Sequence, residues 1–214
     1  MQTLVLVAAS GLAREVLALL REHPAYECIG FLDDSLAGPG ATVDGLPVLG
    51  TIEEAGRWPE AQLLVCAGRG VVRRAIVSRL TAAGVGPQRY ATVVHPRIEV
   101  PDGCRVGQGS ILLAGAVLTT AVEVGEHVVV MPNVTLTHDD VIEDYATLCA
   151  GVALGGGVVV GPGAYLGMSS SVREGRRVGS RAILGMGSVL LQDLPDDQVW
   201  AGVPARPLSP RAPQ

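Results

Sequence analysis

Val, Ile or Leu stands at every sixth position from Val94 to Leu190, without interruption. The residue two before each of these is usually small or apolar, as at Cys104, Ser110, Ala116, Val122, Val128, Ala146, Val158, Ala164 and Ser188. A period of six fits neither an amphipathic helix nor a simple alternating strand. It is the spacing of a parallel β-helix, whose short flat strands stack coil on coil and bury one inward aliphatic per side. Three hexads close one triangular coil, so the run supplies about five coils, above the roughly three that such an array needs.

The hexads claim only the second half of the 214 residues. The expected layout is therefore a small α/β domain over 1–92, the β-helix over 93–192 and a C-terminal tail over 193–214. Hydrophobic residues make up 48% of the chain, but no apolar stretch approaches the ~18 residues of a spanning helix, so membrane insertion is not expected. Residues 1–7 lack the basic start of a secretory signal, which makes the cytoplasm the expected location. A net charge of −5 and 3% aromatics leave little for phosphate tracking or base stacking, and nucleic acid is excluded as a partner. Cys28, Cys66, Cys104 and Cys149 form no CxxC pair, against both a zinc knuckle and a disulfide framework.

In the first half, residues 3–9 read as a strand, Ser10-Gly11 as a turn, and 12–21 as a helix with Leu12, Val16, Leu19 and Leu20 on one face. A second strand, 28–32, ends in Asp33-Asp34, and a third, 63–67, ends in Gly68 before a helix over 71–83. Alternating strands and helices predict a small Rossmann-like parallel sheet, with ligands at the carboxyl ends of its strands. Backbone amides of the first turn suit a phosphate, and carboxylates after the second strand suit ribose hydroxyls. The same residues also fit a plain tight connection and a solvated acidic turn.

Histidines occur at 23, 95, 127 and 138. His23 and His95 precede prolines at junctions, and His127 falls in a turn. His138 follows Leu136 and Thr137, so it shares a corner between two flat strands with Asp139 and Asp140. A neutral imidazole there is poised to take a proton, and an adjacent carboxylate orients it. A polar turn is the alternative at that corner. The histidine spacing gives no recognisable zinc set, so no metal is expected.

Six motifs extend this pattern: VAASGLAREV from Val7 to Val16, GFLDD from Gly30 to Asp34, PVLG from Pro47 to Gly50, His95-Pro96, THDDVIEDY from Thr137 to Tyr145, and AGVPARPL from Ala201 to Leu208. With them the chain resembles, over almost its full length, the sialic-acid O-acetyltransferase and UDP-sugar N-acetyltransferase family of hexapeptide-repeat acyltransferases. The resemblance implies a left-handed β-helix, a homotrimer with active sites between subunits, and a soluble enzyme of surface-glycan biosynthesis. It implies acyl transfer, with acetyl-CoA as donor cosubstrate, to an amine or hydroxyl of a nucleotide sugar. His138 matches the family's catalytic base and Asp139 its acidic neighbour. Acyl-CoA contacts carry over to Thr147, Gly156, Met168 and Met186, with Gly167 and Gly185 giving backbone room, and nucleotide-sugar contacts to Ser10, Gly11, Leu12, Asp33, Asp34 and Gly68. The chain departs from the family at Leu12, where relatives carry His or an aromatic, at Arg69-Gly70, where Asp-Asn is usual, and at Thr147, where some relatives have a second histidine.

Three other functions share the β-helix. A serine-type small-molecule acyltransferase lacks the strand-helix front domain, a carbonic-anhydrase-like enzyme needs a histidine triad, and a non-catalytic oligomerisation or regulatory module has no use for the His138-Asp139 corner.

Overall fold

The computed structural model describes residues 1–208. Its first half is a five-stranded sheet built around β1 (Gln2–Val7), whose residues Leu4 to Val7 are fully buried. Burial on both faces is what a continuous apolar run in a parallel sheet produces. Strand β2 (Tyr26–Leu32) and strand β5 (Gln62–Val65) flank β1 in parallel, and β4 (Leu46–Gly50) pairs in parallel with β2. The outermost strand, β3 (Thr42–Val43), is antiparallel to β4.

The β3–β4 hairpin was not anticipated, although its turn carries a signal. Asp44 and Gly45 both adopt left-handed conformations, and Asp-Gly is a preferred pair for a two-residue hairpin. The first strand stops at Val7 rather than 9 because Ala8 turns left-handed (φ 69°) and Ser10 caps helix α1 (Gly11–Glu22). Helix α1 buries Leu12, Ala13, Val16, Leu17, Leu19 and Leu20 against the sheet. Helix α2 (Gly70–Ala82) covers the other side through Ile76, Val77 and Leu80.

From Val93 onward the chain winds through two-residue strands that form three parallel faces. The first face stacks 93–94, 111–112, 129–130, 147–148, 165–166 and 183–184; the second stacks 105–106, 123–124, 141–142, 159–160 and 177–178; the third stacks 117–118, 135–136, 153–154, 171–172 and 189–190. Each strand pairs with the one 18 residues on, as between Val129 and Thr147. Three hexads therefore make one coil, and the aliphatics from Leu112 to Leu190 line a single core. Val100 breaks the expectation, since it is 42% exposed and belongs to no strand. It precedes the first complete coil, where no neighbour covers it.

Every corner from 103 to 187 holds one left-handed residue, also spaced by six, and glycine occupies only some of these positions. Segment 193–208, expected as a tail, continues the solenoid. Val199–Gly202 pairs in parallel with Ile183–Leu184 and turns back antiparallel to Ala205–Pro207. Leu194 and Trp200 close the end of the core; residues 209–214 lie outside the described residues.

The two halves share a core. Outward residues of the first face, Ile111 and Val129, join α1 and β1 in one apolar cluster.

Candidate active site

The His138 corner lies on the edge where the third face passes into the second, between strands 135–136 and 141–142. Asp139 is the left-handed residue of this corner (φ 63°), and that turn sets its carboxylate beside the neighbouring ring. His138 Nδ1 lies 2.8 Å from Asp139 Oδ2, and the two side chains are 64% and 68% exposed. With the carboxylate accepting from Nδ1–H, the neutral ring keeps Nε2 as a proton acceptor. One coil on, Gly156 lies against the ring: a Cβ there would come within 2.2 Å of Nε2. Gly156, expected among the acyl-CoA contacts, is thus the residue that gives the imidazole room.

Asp140, the third member of the polar corner, does not share its exposure. It is fully buried and accepts hydrogen bonds from the Thr137 amide (2.7 Å) and the Val158 amide (2.9 Å). Burial pushes its carboxyl up to about 6, and these two amides only partly offset that effect.

The residues expected to hold the nucleotide sugar meet at the carboxyl ends of β1, β2 and β5. Ser10 donates its hydroxyl to the Cys66 carbonyl, and the Ala9 amide donates to Asp33 (2.9 Å), so the three strand ends are stitched together. Gly11 is exposed at the first turn of α1, whereas Leu12 is buried in the helix core and offers no side-chain contact. Partial burial opposes ionisation of Asp33, but the Ser35 hydroxyl and the amides of Ala9, Ser35 and Leu36 outweigh it and hold the carboxyl below its ordinary range. Asp34 is also held low, by Arg79 first and then by the Ile52 amide; the arginine lies 2.7 Å away. Both carboxylates are therefore engaged within the fold, Asp33 as the organiser of its own loop.

Gly68 faces the β-helix. Its carbonyl accepts from Thr147 Oγ1 (2.8 Å) and from Arg73. Thr147 is almost wholly buried in this joint, which restricts the acyl-donor contact expected of it. Arg73 was not singled out in the sequence, yet it is the largest fully buried side chain. Its guanidinium donates to the carbonyls of Ala67 and Gly68 on one side and of His127, Tyr145 and Ala146 on the other, as well as to Thr147 Oγ1. Burial away from water lowers its pKa to about 10. At the neighbouring Gly70 a Cβ would come within 1.9 Å of the Tyr145 carbonyl, so α2 docks on the coils by direct backbone approach.

His127 is buried in the same joint, stacked on Tyr145 at 5.2 Å, and burial lowers its pKa to about 4. His95 is buried as well, its Nδ1 accepting from the Arg97 amide. Among the described residues no group of three or more His, Cys, Asp or Glu side chains is arranged to hold a metal ion, and no helix is long and apolar enough to cross a membrane.

Beside the joint runs a groove of about 570 Å³ lined by Gly68, Arg69, Thr147, Cys149, Tyr165 and Met168. Met168 and Met186 stand exposed (54% and 76%) one coil apart, on the edge between the first and third faces. Gly167 and Gly185 precede them, and a Cβ on Gly167 would meet the Met186 amide at 2.5 Å. The expected acyl-donor residues thus divide. Gly156 shares the edge of His138, while Thr147, Gly167, Met168, Gly185 and Met186 lie on the first face and its edge.

Comparison with known proteins sets these features beside named relatives. Residues 3–80 match the PglD N-terminal domain. The acetyltransferase domain of PglB from Neisseria gonorrhoeae, solved in complex with acetyl coenzyme A, is 29% identical, with a TM-score of 0.87 over 97% of this chain and 99% of that one. A His-to-Asn mutant of perosamine N-acetyltransferase from Caulobacter crescentus, in complex with CoA and GDP-perosamine, is 25% identical, with a TM-score of 0.89 over 98% of both chains. The acyl-[acyl-carrier-protein]–UDP-N-acetylglucosamine O-acyltransferase of Thiobacillus denitrificans is 28% identical over 61% of this chain. This chain spans about half (52%) of the length of that curated relative. Residues 3–80 thus carry a PglD N-terminal domain, and over nearly its whole length the chain, front sheet followed by left-handed β-helix, is similar to sugar acetyltransferases of the same architecture.

Proposed function

We propose that this protein transfers an acyl group, acetyl in the first instance, from coenzyme A to an amine or hydroxyl of a nucleotide-activated sugar. The observation that carries the reading is the His138 corner, with Nδ1 against Asp139 and Nε2 open above Gly156. The ligands of the two solved relatives, acetyl coenzyme A in one and CoA with GDP-perosamine in the other, support the choice of substrates.

In the proposed step the acceptor's nitrogen or oxygen lone pair attacks the thioester carbonyl carbon while Nε2 takes the acceptor's proton. The new C–N or C–O bond forms first. The C–S bond then breaks as the tetrahedral intermediate collapses, and the CoA thiolate leaves and recovers the proton from the imidazolium. Asp139 stabilises the imidazolium in between. General-base assistance of this kind is worth roughly 10²- to 10⁴-fold, and juxtaposition of two bound substrates supplies much of the rest. No acyl-enzyme is required. The nucleotide sugar is assigned to the loops at Ser10, Gly11, Asp33, Asp34 and Gly68, with Leu12 contributing only backbone, and the donor to Gly156, Gly167, Met168, Gly185 and Met186.

Within one chain this site is incomplete. His138 and Gly156 occupy one edge of the third face, and the methionine edge and groove bound the other side. The outward residues of the third face, Val117, Thr135, Ala153, Ser171 and Val189, are uncharged and compact, which suits burial against another copy. A homotrimer, with His138 of one chain meeting the groove of the next, is the assembly we assign. The cytoplasm is its assigned location.

The test is thiol release from acetyl-CoA in the presence of amino- and hydroxy-bearing nucleotide sugars. The parent protein is expected to release thiol only with sugar present, and His138→Ala to bind both substrates while losing turnover by about 10²-fold or more. Near-parental turnover in His138→Ala would overturn the assignment of the base.

A further inference from the structure

We propose that Asp140 is a positioning residue for this corner: its buried carboxylate draws the Thr137 amide off the β-helix ladder and so fixes where the His138 backbone leaves the third face. The inference rests on the acyl-transfer reading for its catalytic consequence, and on geometry for the clamp itself.

The ladder supplies the first observation. One residue past each inward aliphatic, from Gly107 to Gly185, the backbone amide donates to the carbonyl of the inward residue in the next coil, as in Thr119 to Leu136, Gly155 to Val172 and Arg173 to Leu190. Thr137 departs from this pattern. Its amide donates to Asp140 Oδ2 (2.7 Å), and the Leu154 carbonyl accepts from the Thr137 hydroxyl instead (3.2 Å). Pairing between strands 135–136 and 153–154 shrinks accordingly to Thr135 with Ala153, whereas the coils on either side keep both pairs. The ladder opens immediately before His138.

The slot that Asp140 occupies supplies the second. It lies two residues before inward Ile142, where most other hexads from Ser110 to Ser188 bury Ser, Ala or Val; Cys104 is half-buried in the first such slot, and Arg176 is the one other charged residue. Ser110 in the equivalent slot accepts from the Val128 amide of the next coil (2.9 Å), and the Gly107 amide beside it stays on the ladder. Asp140 makes the same bond to Val158 through Oδ1. The carboxylate is thus needed for only one additional thing, its second oxygen on Thr137. Burying a carboxylate is unfavourable unless it is well hydrogen-bonded, so this position carries a cost that a serine would avoid.

Asp140→Ser separates the two bonds, because serine keeps the link to Val158 but has no second oxygen for Thr137. In a crystal structure of the variant the Thr137 amide is expected on the Leu154 carbonyl, with the Leu136–Leu154 pair restored. In kinetics kcat should fall on the order of tenfold to a hundredfold, as for a small displacement of a catalytic group, with both KM values nearly unchanged. Asp140→Cys, which copies Cys104 in the equivalent slot, serves the same purpose if the serine variant does not fold. An open ladder without the carboxylate, or parental kcat with the ladder closed, would overturn the proposal. If His138→Ala turns over like the parent, the acyl-transfer reading fails while ladder closure still tests the clamp; if His138→Ala is inactive and Asp140→Ser matches the parent, the clamp alone fails.

Discussion

At the scale of single residues, the histidine corner combines an open ring with two differently placed carboxylates. Asp139 touches the imidazole from solvent, whereas Asp140 lies beneath the backbone that carries it. Gly156 lies against the ring from the following coil. Its backbone is not left-handed, so alanine is conformationally acceptable there, and the atoms nearest the added methyl belong to the end of a rotatable side chain. Gly156→Ala should therefore leave the unfolding midpoint nearly unchanged while lowering kcat by roughly 10- to 100-fold through displacement of Nε2; thermal unfolding measured beside turnover checks both halves. Asp140 makes a prediction in pH. Burial raises its carboxyl from the ordinary value to about 6, while His138 and Asp139 act on it with opposite signs. A carboxyl raised on folding stabilises the fold fully below its unfolded value and loses that contribution as pH rises through the folded one. The stability of the parent relative to Asp140→Ser should accordingly decline between about pH 4 and 6, by up to ~3 kcal/mol, and level off above that. Urea midpoints of both proteins across this range would reveal it, and a flat difference would contradict the raised value.

At the scale of elements, the β-helix is held by a repeated turn rather than by long strands. Each two-residue strand contributes little alone, and the corner between strands must bend left-handed once every six residues. Glycine adopts that conformation freely, whereas other L-residues do so at some cost. Ala121 is exposed and left-handed (φ 53°), with no side-chain group to stabilise the turn. Ala121→Gly should raise stability by about 0.5–1 kcal/mol, read as a higher urea midpoint at unchanged slope. Asp139 bears the same conformation at the His138 corner, where its carboxylate meets the imidazole. Asp139→Asn keeps the shape and removes the charge, so its effect on turnover belongs below that of His138→Ala.

At the scale of the whole molecule, the front sheet and the coils form one body through α1, α2 and the Arg73 joint. The guanidinium binds carbonyls from both halves at once, which ties the Gly68 loop to the groove beside Thr147. The His138 edge stands on another side of the prism. A chain whose proposed substrate loops and base lie on different sides needs a second copy to bring them together. Sedimentation should therefore report about three chains per particle, and a fully active monomer at micromolar concentration would contradict both the trimer and the shared site. Mixing a His138→Ala chain with a Gly68-loop variant should then restore part of the activity that each lacks alone.

Periodic features were legible in the sequence because they depend on side-chain type at a fixed spacing. The hexads predicted the coils, and the apolar runs predicted β1, β2, β5 and both helices, each within a few residues of their observed bounds. His138 and Asp139 were identified as a corner pair because adjacency in sequence is preserved at a turn. The hidden features depend on neighbours 18 or more residues away. Asp140 reads as one more polar turn residue until the buried slot two places before Ile142 is assigned to it. Gly156 reads as an acyl-CoA contact carried over from the resemblance until the preceding coil lays the His138 ring across it. Arg73 reads as a helix cation, and only the approach of α2 to the Tyr145 corner gives its fork carbonyl partners. Sequence determined the repeat, the elements and the adjacency of His138 and Asp139 at one corner, since these follow from local pattern and hydrophobic burial. Tertiary structure decided which polar groups are buried and what they hold, because burial and hydrogen-bond partners exist only once the coils are stacked.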